Sequence, residues 1–317
     1  MLYSILKIPA RIAIHFYCRN VLINNKEYLK ANGPLLLATN HPNSFLDAVI
    51  IATLFDRPVY SLTRGDVYSS PMINKILYAL KMFPVFRISE GAENLDQNYS
   101  TFEKCKEVFK NNGIVLIFSE GLCINEWHLR PLKKGTARLA ISSWEENIPT
   151  KVLPTAINFS AFKLFGKNII LNFGDMLHEE DIDHTNGYGK TITDFNAKLT
   201  DRLKPLIIEL ASDDTEGRRK IFYLPQPLTK RFFLSIPAAL GYVFHAPLYV
   251  PIRLYAEHKF GRSGHFDSIM VALLFGSYPL YLVLLSLLLW ATGGPGWIVF
   301  LILPFCAWSY VQLKKQI

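Results

Sequence analysis

The chain has 317 residues, half of which are hydrophobic, and a formal net charge of +8. The charge comes without an aromatic RNA-binding motif, zinc-finger spacing or a basic helix, so the sequence predicts no nucleic-acid partner. A basic balance beside long apolar stretches suits anionic lipid headgroups and phosphorylated substrates instead. The four cysteines show no paired or metal-type spacing, which indicates a reducing compartment.

The chain begins with an amphipathic helical pattern. Lys7, Arg11 and His15 follow one another at steps of four residues and form a polar stripe beside isoleucines and leucines. These charges interrupt the apolar run and no small-residue cleavage pattern follows, which argues against a signal peptide. We expect residues 1–24 to form a helix that lies on an anionic membrane surface. The alternative is an amphipathic helix packed on the rest of the protein.

Residues 25–211 predict an α/β domain, a sheet flanked by helices, because short apolar strands alternate with helical patterns. The candidate strands are 35–38, 59–62, 83–86, 114–118, 151–157 and 169–173. Residues 100–112 and 192–210 place their apolar side chains on one helical face. A polar linker is expected at 212–230.

The remainder, residues 231–317, is membrane-associated by composition. Residues 268–290 carry no charge, and at about 1.5 Å per residue they can cross a hydrocarbon core of about 30 Å. With the shorter run at 297–313 they predict a transmembrane hairpin. Basic residues flank both ends of this hairpin, so a multi-pass protein of the inner, cytoplasmic membrane is expected, with its α/β domain in the cytoplasm. The proline-containing run at 232–250 predicts a re-entrant or interfacial segment.

One stretch between two apolar runs contains the residues Asn-His-Pro-Asn-Ser at 40–44. Pro42 disfavours helical backbone at His41, which should therefore lie extended at the end of its strand. Asn43 or Ser44 can cap the helix that follows. Asp47, in or just after the first turn, then leans back toward His41.

On one continuous helix, a six-residue step would place His41 and Asp47 about 120° apart around the axis. The bend at the proline is therefore what allows the imidazole and the carboxylate to meet. A carboxylate beside an imidazole fixes its tautomer and stabilises its protonated form, which makes a general base. The alternative is a loop histidine with an aspartate that interacts with the helix dipole.

Four blocks along the chain resemble the glycerolipid acyltransferase family, which includes the bacterial lysophosphatidate acyltransferases. The first, NHPNSFLD at 40–47, is similar to that family's N-H-x-x-x-x-D block. The others are MFPVFR at 82–87, IFSEG at 117–121 followed by PLKKGTARLA at 131–140, and VLPTAINF at 152–159. Together they extend over roughly residues 25–185, and their joint order is specific where each block alone is weak.

The resemblance implies a sheet of the acyltransferase type and an acyl transfer from acyl-CoA or acyl carrier protein to an acceptor hydroxyl. It implies His41 as the base and Asp47 as its orienting partner, with no metal or cofactor. It also implies contacts with a lysophospholipid or glycerol-phosphate acceptor in a lipid bilayer, or with the donor, from Asn40, Arg87, Glu120, Gly121 and Lys133. Arg87 matches the phosphate-binding arginine of the family.

The sequence departs from the family pattern in two places. Five residues separate His41 from Asp47 where the family has four. Ser119, Leu122 and Cys123 stand where the family has proline, threonine and arginine, so one expected phosphate ligand is absent. Arg130, Lys133 and Arg138 are candidates to replace it; otherwise the acceptor is not 1-acylglycerol 3-phosphate but glycerol 3-phosphate or a lyso-aminolipid. A non-catalytic lipid-binding protein with the same fold is a further alternative.

The segment HEEDIDH at 178–184 contains two histidines and four carboxylates. Its spacing matches neither a structural zinc motif nor a calcium loop, so we interpret it as a solvated loop.

Overall fold

The computed structural model describes residues 1–86, 97–185 and 187–317. The strands in these ranges are β1 (Cys18–Ile23), β2 (Leu35–Thr39), β3 (Val59–Arg64), β4 (Met82–Val85), β5 (Ile114–Phe118), β6 (Lys151–Phe159) and β7 (Lys167–Phe173). The helices are α1 (Leu2–Tyr17), α2 (Phe45–Leu54), α3 (Pro71–Ala79), α4 (Gln97–Lys110), α5 (Lys134–Glu145), α6 (Tyr188–Leu203), α7 (Thr215–Phe222), α8 (Leu228–Phe260), α9 (Phe266–Ala291) and α10 (Val299–Leu313).

The strands of the described ranges form one sheet in the order β1-β7-β6-β2-β5-β3-β4. Neighbouring strands are parallel except β6 and β7, which are antiparallel. Strand β2 lies near the centre, where Thr39 pairs with Phe118 at the end of β5. The segments that leave β2 and β5 therefore meet at the same edge of the sheet, the edge where α/β proteins bind their ligands.

Helices cover both faces of the sheet, which explains why β2 is apolar without alternation. Leu35 and Leu37 point into a core formed with α1, α2 and the first turns of α9. Leu36 and Ala38 point to the opposite face, into a core formed with α4, α5 and α6. The sheet flanked by helices confirms the predicted α/β class.

All six predicted strands are present, and a seventh, β1, was missed. The sequence predicts helix through residue 24, whereas α1 ends at Tyr17 and the chain continues as β1. Strand β1 lies at the edge of the sheet and pairs with β7. Its Arg19 is buried and donates to the Val311 carbonyl at 2.9 Å. The partner strand β7 is distant from β1 in sequence, so no local pattern indicates that residues 18–23 form a strand.

Helix α1 packs against α2 through one of its faces. Tyr3 donates a hydrogen bond to the Ala52 carbonyl at 3.2 Å, and Lys7 donates to the Asp56 carbonyl at 3.0 Å. Ile5, Ile8 and Ile12 are exposed. The packed alternative for this helix is thus present in the structure, while contact of the exposed isoleucines with a membrane remains a prediction.

Three C-terminal helices are long and apolar enough to cross a membrane: α8, α9 and Gly296–Leu313, which contains α10. The predicted hairpin therefore corresponds to the last two. The run at 232–250, predicted as a re-entrant or interfacial segment, lies within α8, a continuous helix of 33 residues that contains three prolines; its position relative to a membrane stays a prediction. Helices α8 and α10 approach each other closely, because a Cβ atom on Gly241 would lie 2.2 Å from the Cys306 carbonyl oxygen.

Candidate active site

The segment between β2 and α2 is not helical, so the predicted bend is present. Strand β2 ends at Thr39 and α2 begins at Phe45, with Ser44 at a φ of 56°. The turn brings His41 Nδ1 to 2.9 Å from Asp47 Oδ2. The two groups that the sequence separates by six residues are thus hydrogen-bonded.

Asp47 is fully buried beneath the bend. Its Oδ2 atom accepts hydrogen bonds from the His41 ring and from the backbone N–H of Asn43 at 2.8 Å. Burial raises the pKa of the Asp47 carboxyl, and the hydrogen bonds from His41 and Asn43 act in the opposite direction. With the carboxylate ionised, Nδ1 of His41 carries the hydrogen and Nε2 is left as the basic atom.

The His41 ring is also held on one face. It stacks on Phe118, with ring centroids 3.8 Å apart and an interplanar angle of 15°. Phe118 ends β5, the strand beside β2, so sheet pairing sets this contact. The His41 side chain remains 14% exposed, which suits a base that must reach a substrate.

Glu120 fixes the position of His41 from the neighbouring loop. One carboxylate oxygen accepts from the backbone N–H of His41 at 2.8 Å, and the other accepts from the backbone N–H of Arg130 at 2.9 Å. The side chain is buried, which raises the pKa of its carboxyl. Both oxygens of Glu120 are engaged with the protein backbone. These contacts hold the backbone of His41 and Arg130 in place, and the predicted substrate contact of Glu120 stays a prediction.

Asn40 is likewise engaged within the protein. Its side-chain amide donates to the Ile157 carbonyl at 3.1 Å and accepts from the Ile157 N–H at 2.9 Å. These bonds join the end of β2 to β6 and give Asn40 a structural role. The predicted substrate contact of Asn40 stays a prediction.

Gly121 and Lys133 lie close together in the segment between β5 and α5. Gly121 has a φ of +65°, and a Cβ atom there would lie 2.8 Å from the Lys133 Cγ atom. Glycine therefore allows both the left-handed turn and the close approach of the lysine chain. Lys133 is exposed, and its backbone N–H donates to the Ser119 carbonyl at 2.7 Å.

Arg87, the predicted phosphate ligand, lies outside the described residues.

The first turn of α9 contacts the bend. This contact was not predicted from the sequence. Asn43 donates its side-chain amide to Asp267 at 2.8 Å, and the Leu46 N–H donates to the Ser268 hydroxyl at 3.1 Å. Ser44 Oγ lies 2.6 Å from His265 Nδ1. The available signal was Asp267 itself, a carboxylate directly before a long charge-free run, where an ionisable group needs a partner.

Asp267 belongs to a buried polar network. It is fully buried, accepts a hydrogen bond from the Tyr17 hydroxyl at 2.6 Å and forms an ion pair with the ammonium group of Lys167. Lys167 is fully buried as well, and it also donates to the Phe162 carbonyl at 3.2 Å. The network joins α1, β7 and α9 to the bend that bears His41.

No group of three or more His, Cys, Asp or Glu residues in the described ranges is placed to hold a metal ion. In the 178–184 segment, Asp181 accepts from the His178 N–H and pairs with Arg202 at 3.1 Å.

Known proteins with similar sequences are acyltransferases. The family described as Acyltransferase matches residues 20–158, a range that contains His41, Asp47 and Glu120. A relative, the 1-acyl-sn-glycerol-3-phosphate acyltransferase BAT2, chloroplastic, of Brassica napus, is 22% identical over 180 residues, which are 55% of this chain and 47% of the relative. The chain thus spans about half the length of that relative.

Among solved structures, the crystal structure of the 1-acyl-sn-glycerophosphate (LPA) acyltransferase PlsC from Thermotoga maritima gives a TM-score of 0.46 at 13% identity. The match covers 70% of this chain and 81% of the other. The family match over residues 20–158, the curated relative and the ordered sequence blocks agree, and together they support a glycerolipid acyltransferase family for this chain.

Proposed function

We propose that the protein is a membrane-bound O-acyltransferase of phospholipid synthesis. It transfers a fatty acyl chain from acyl-CoA or acyl carrier protein to the hydroxyl of 1-acylglycerol 3-phosphate, which gives phosphatidic acid. The observation that carries this proposal is the hydrogen-bonded His41–Asp47 pair at the end of β2, at the ligand-binding edge of the sheet.

The pair suits base catalysis at a hydroxyl, because an alcohol is a weak nucleophile at neutral pH. Nε2 of His41 takes the hydroxyl proton as the acceptor oxygen attacks the thioester carbonyl carbon. Asp47 stabilises the imidazolium that forms. The tetrahedral intermediate then breaks its carbon–sulfur bond, and the departing thiolate takes the proton from the imidazolium. Ester, free thiol and unchanged enzyme result, with no covalent enzyme intermediate.

Membrane attachment is supported by the three apolar C-terminal helices. Basic residues flank the α9–α10 pair, which supports a multi-pass arrangement with the sheet domain on the cytoplasmic face of the inner membrane. The bend containing His41 directly contacts the first turn of α9. This contact supports a position of the base near the membrane surface, where lysolipid and product reside.

The test uses the full chain purified in detergent, one isotope-labelled acyl-CoA, one labelled acyl carrier protein and a panel of acceptors, read by mass spectrometry. We expect label in phosphatidic acid, and we expect His41→Ala to abolish transfer while the thermal midpoint stays near that of the wild type. Normal turnover by His41→Ala would refute the proposal.

A second acceptor class is favoured by one observation. Cys123 stands where the family has a phosphate-binding arginine, so the same chemistry on glycerol 3-phosphate or a lyso-aminolipid is the alternative. The acceptor panel separates these cases by the labelled product. A non-catalytic lipid-binding protein, in contrast, would consume no thioester with any acceptor, and the preserved His41–Asp47 pair argues against it.

A further inference from the structure

A cavity of about 820 Å³ opens beside the catalytic bend. Its walls come from the loop after β5, the turn between β6 and β7, helix α7 and the turn between α8 and α9. Cations are supplied by the last three of these: Lys163, Arg218 and Arg262. Most of the cavity therefore lies outside the residues that match the acyltransferase family, 20–158.

The charged side chains that line the cavity in the described residues are all cationic. Within the described part of the chain, no aspartate or glutamate side chain lines it, although the last residue, Ile317, lies at its wall. Arg262 is exposed, and nothing in residues 1–86, 97–185 or 187–317 pairs with its guanidinium by a hydrogen bond or ion pair. Clustered like charges in a cleft raise the local concentration of anions.

Arg218 is held in place from the protein side. Its guanidinium donates to the Asp214 carbonyl at 3.2 Å and to the Thr215 hydroxyl at 3.0 Å, and it lies 4.8 Å from the ring centroid of Trp127. These contacts use neutral groups, so the positive charge is not cancelled. An oriented guanidinium with an uncancelled charge is the side chain that recognises phosphate best.

The cavity wall is continuous with the backbone that carries the base. Asn125 donates its side-chain amide to the Pro42 carbonyl at 2.7 Å, and the Ile124 N–H donates to the His41 carbonyl at 3.3 Å. Cys123 accepts through its sulfur from the Ser44 N–H at 2.9 Å. A ligand in the cavity would therefore lie against the bend that contains His41.

We propose that this cavity binds a substrate phosphate through Arg218, Arg262 and Lys163. The shared chemistry is a phosphate monoester or diphosphate, carried either by the glycerolipid acceptor or by a coenzyme A donor; this identity rests on the proposed function. The cations come from α7 and the turns that flank β7 and α9, so this chain places phosphate recognition outside the family motifs.

The test measures direct binding to the full chain in detergent by calorimetry, with three probes: 1-acylglycerol 3-phosphate, coenzyme A and monoacylglycerol, which lacks the phosphate. We expect Arg262→Gln and Arg218→Gln to weaken binding of a phosphate-bearing probe about tenfold each, the loss of one charge-assisted contact. If the variants bind 1-acylglycerol 3-phosphate more weakly, the cavity holds the phosphate of the acceptor. If they bind coenzyme A more weakly, it holds a phosphate of the donor.

Matched controls are available on the same elements. Arg219, the neighbour of Arg218 on α7, and Lys259, in the last turn of α8, are exposed and do not line the cavity. Arg219→Gln and Lys259→Gln should bind all three probes as the wild type does, and no variant should change monoacylglycerol binding. Arg218→Lys and Arg262→Lys keep the charge without the guanidinium geometry and should recover part of the affinity, which separates lost charge from lost folding.

The outcomes distinguish this proposal from the proposed function, because binding needs no turnover. The cavity proposal would be overturned if the cavity variants bound each phosphate probe with the same affinity as the wild type and the controls, even if acyl transfer proceeds normally. No binding of either phosphate probe by the wild type would overturn it as well. Charge-dependent binding without acyl transfer to any acceptor would support the cavity and refute the proposed function alone.

Discussion

Asn43 donates its side-chain amide to Asp267 at 2.8 Å and its backbone N–H to Asp47 at 2.8 Å. One residue thus connects the carboxylate that orients His41 with the first turn of α9, one of the three helices apolar enough to cross a membrane. The position of His41 is therefore coupled to the position of that helix. The buried ion pair between Lys167 and Asp267 holds the other side of the same contact.

Asp267→Asn should lower the stability of the protein. The change removes the negative partner of the fully buried Lys167 and leaves an uncompensated ammonium. Breaking a buried pair from one side costs about 3 to 5 kcal/mol. The measurement is the thermal midpoint in detergent. The double variant Lys167→Met with Asp267→Asn should recover part of the loss, and additive losses would contradict a direct pair.

Asn43→Ala should lower kcat without a matching loss of donor binding. The variant keeps the backbone N–H that Asp47 accepts but loses the bond to Asp267. The bend then moves relative to α9, and small displacements of a catalytic group cost up to about 100-fold in rate. Steady-state kinetics with acyl-CoA provide the measurement. A lower thermal midpoint with kcat unchanged would show that the bond serves stability alone.

Asp47→Asn should reduce kcat by at least about 100-fold, the lower end of what a positioned general base contributes. An amide at position 47 cannot stabilise the imidazolium, and it can present an N–H to Nδ1, which selects the wrong tautomer of His41. Kinetics over a range of acyl-CoA concentrations check this, and the KM for the donor should change little. A turnover rate within a few-fold of the wild type would remove Asp47 from the mechanism.

The bend could be predicted from the sequence because its causes are local. Pro42 acts on the residue before it, and the positions of Asn43 and Ser44 near a helix start are set by neighbours in the chain. The contact between Asn43 and Asp267 could not be predicted, since 224 residues separate them. Nothing in either stretch indicates the other, and packing of the folded chain alone brings them together.

The same distinction applies to the protein contacts of two side chains that the sequence predicts to contact substrate. The family blocks correctly brought Asn40 and Glu120 to the edge of the sheet near His41. A block specifies which residues gather, but not whether a side chain faces substrate or backbone. Asn40 engages Ile157 and Glu120 engages two backbone N–H groups, partners whose direction depends on the register of β2, β5 and β6.

The stability contributed by Glu120 should decline as the pH rises. Burial raises the pKa of its carboxyl in the folded protein above the ordinary value of 4.5, so the folded state holds this proton more tightly than the unfolded state does. The contribution of Glu120 to stability is then fully present below about 4.5 and is lost as the pH rises through the folded pKa. Glu120→Gln removes this titration while retaining one oxygen acceptor. The thermal midpoint of the wild type minus that of Glu120→Gln should therefore fall as the pH rises above about 4.5. A difference that grows as the pH rises would mean that the two N–H donors outweigh burial and lower the pKa of Glu120.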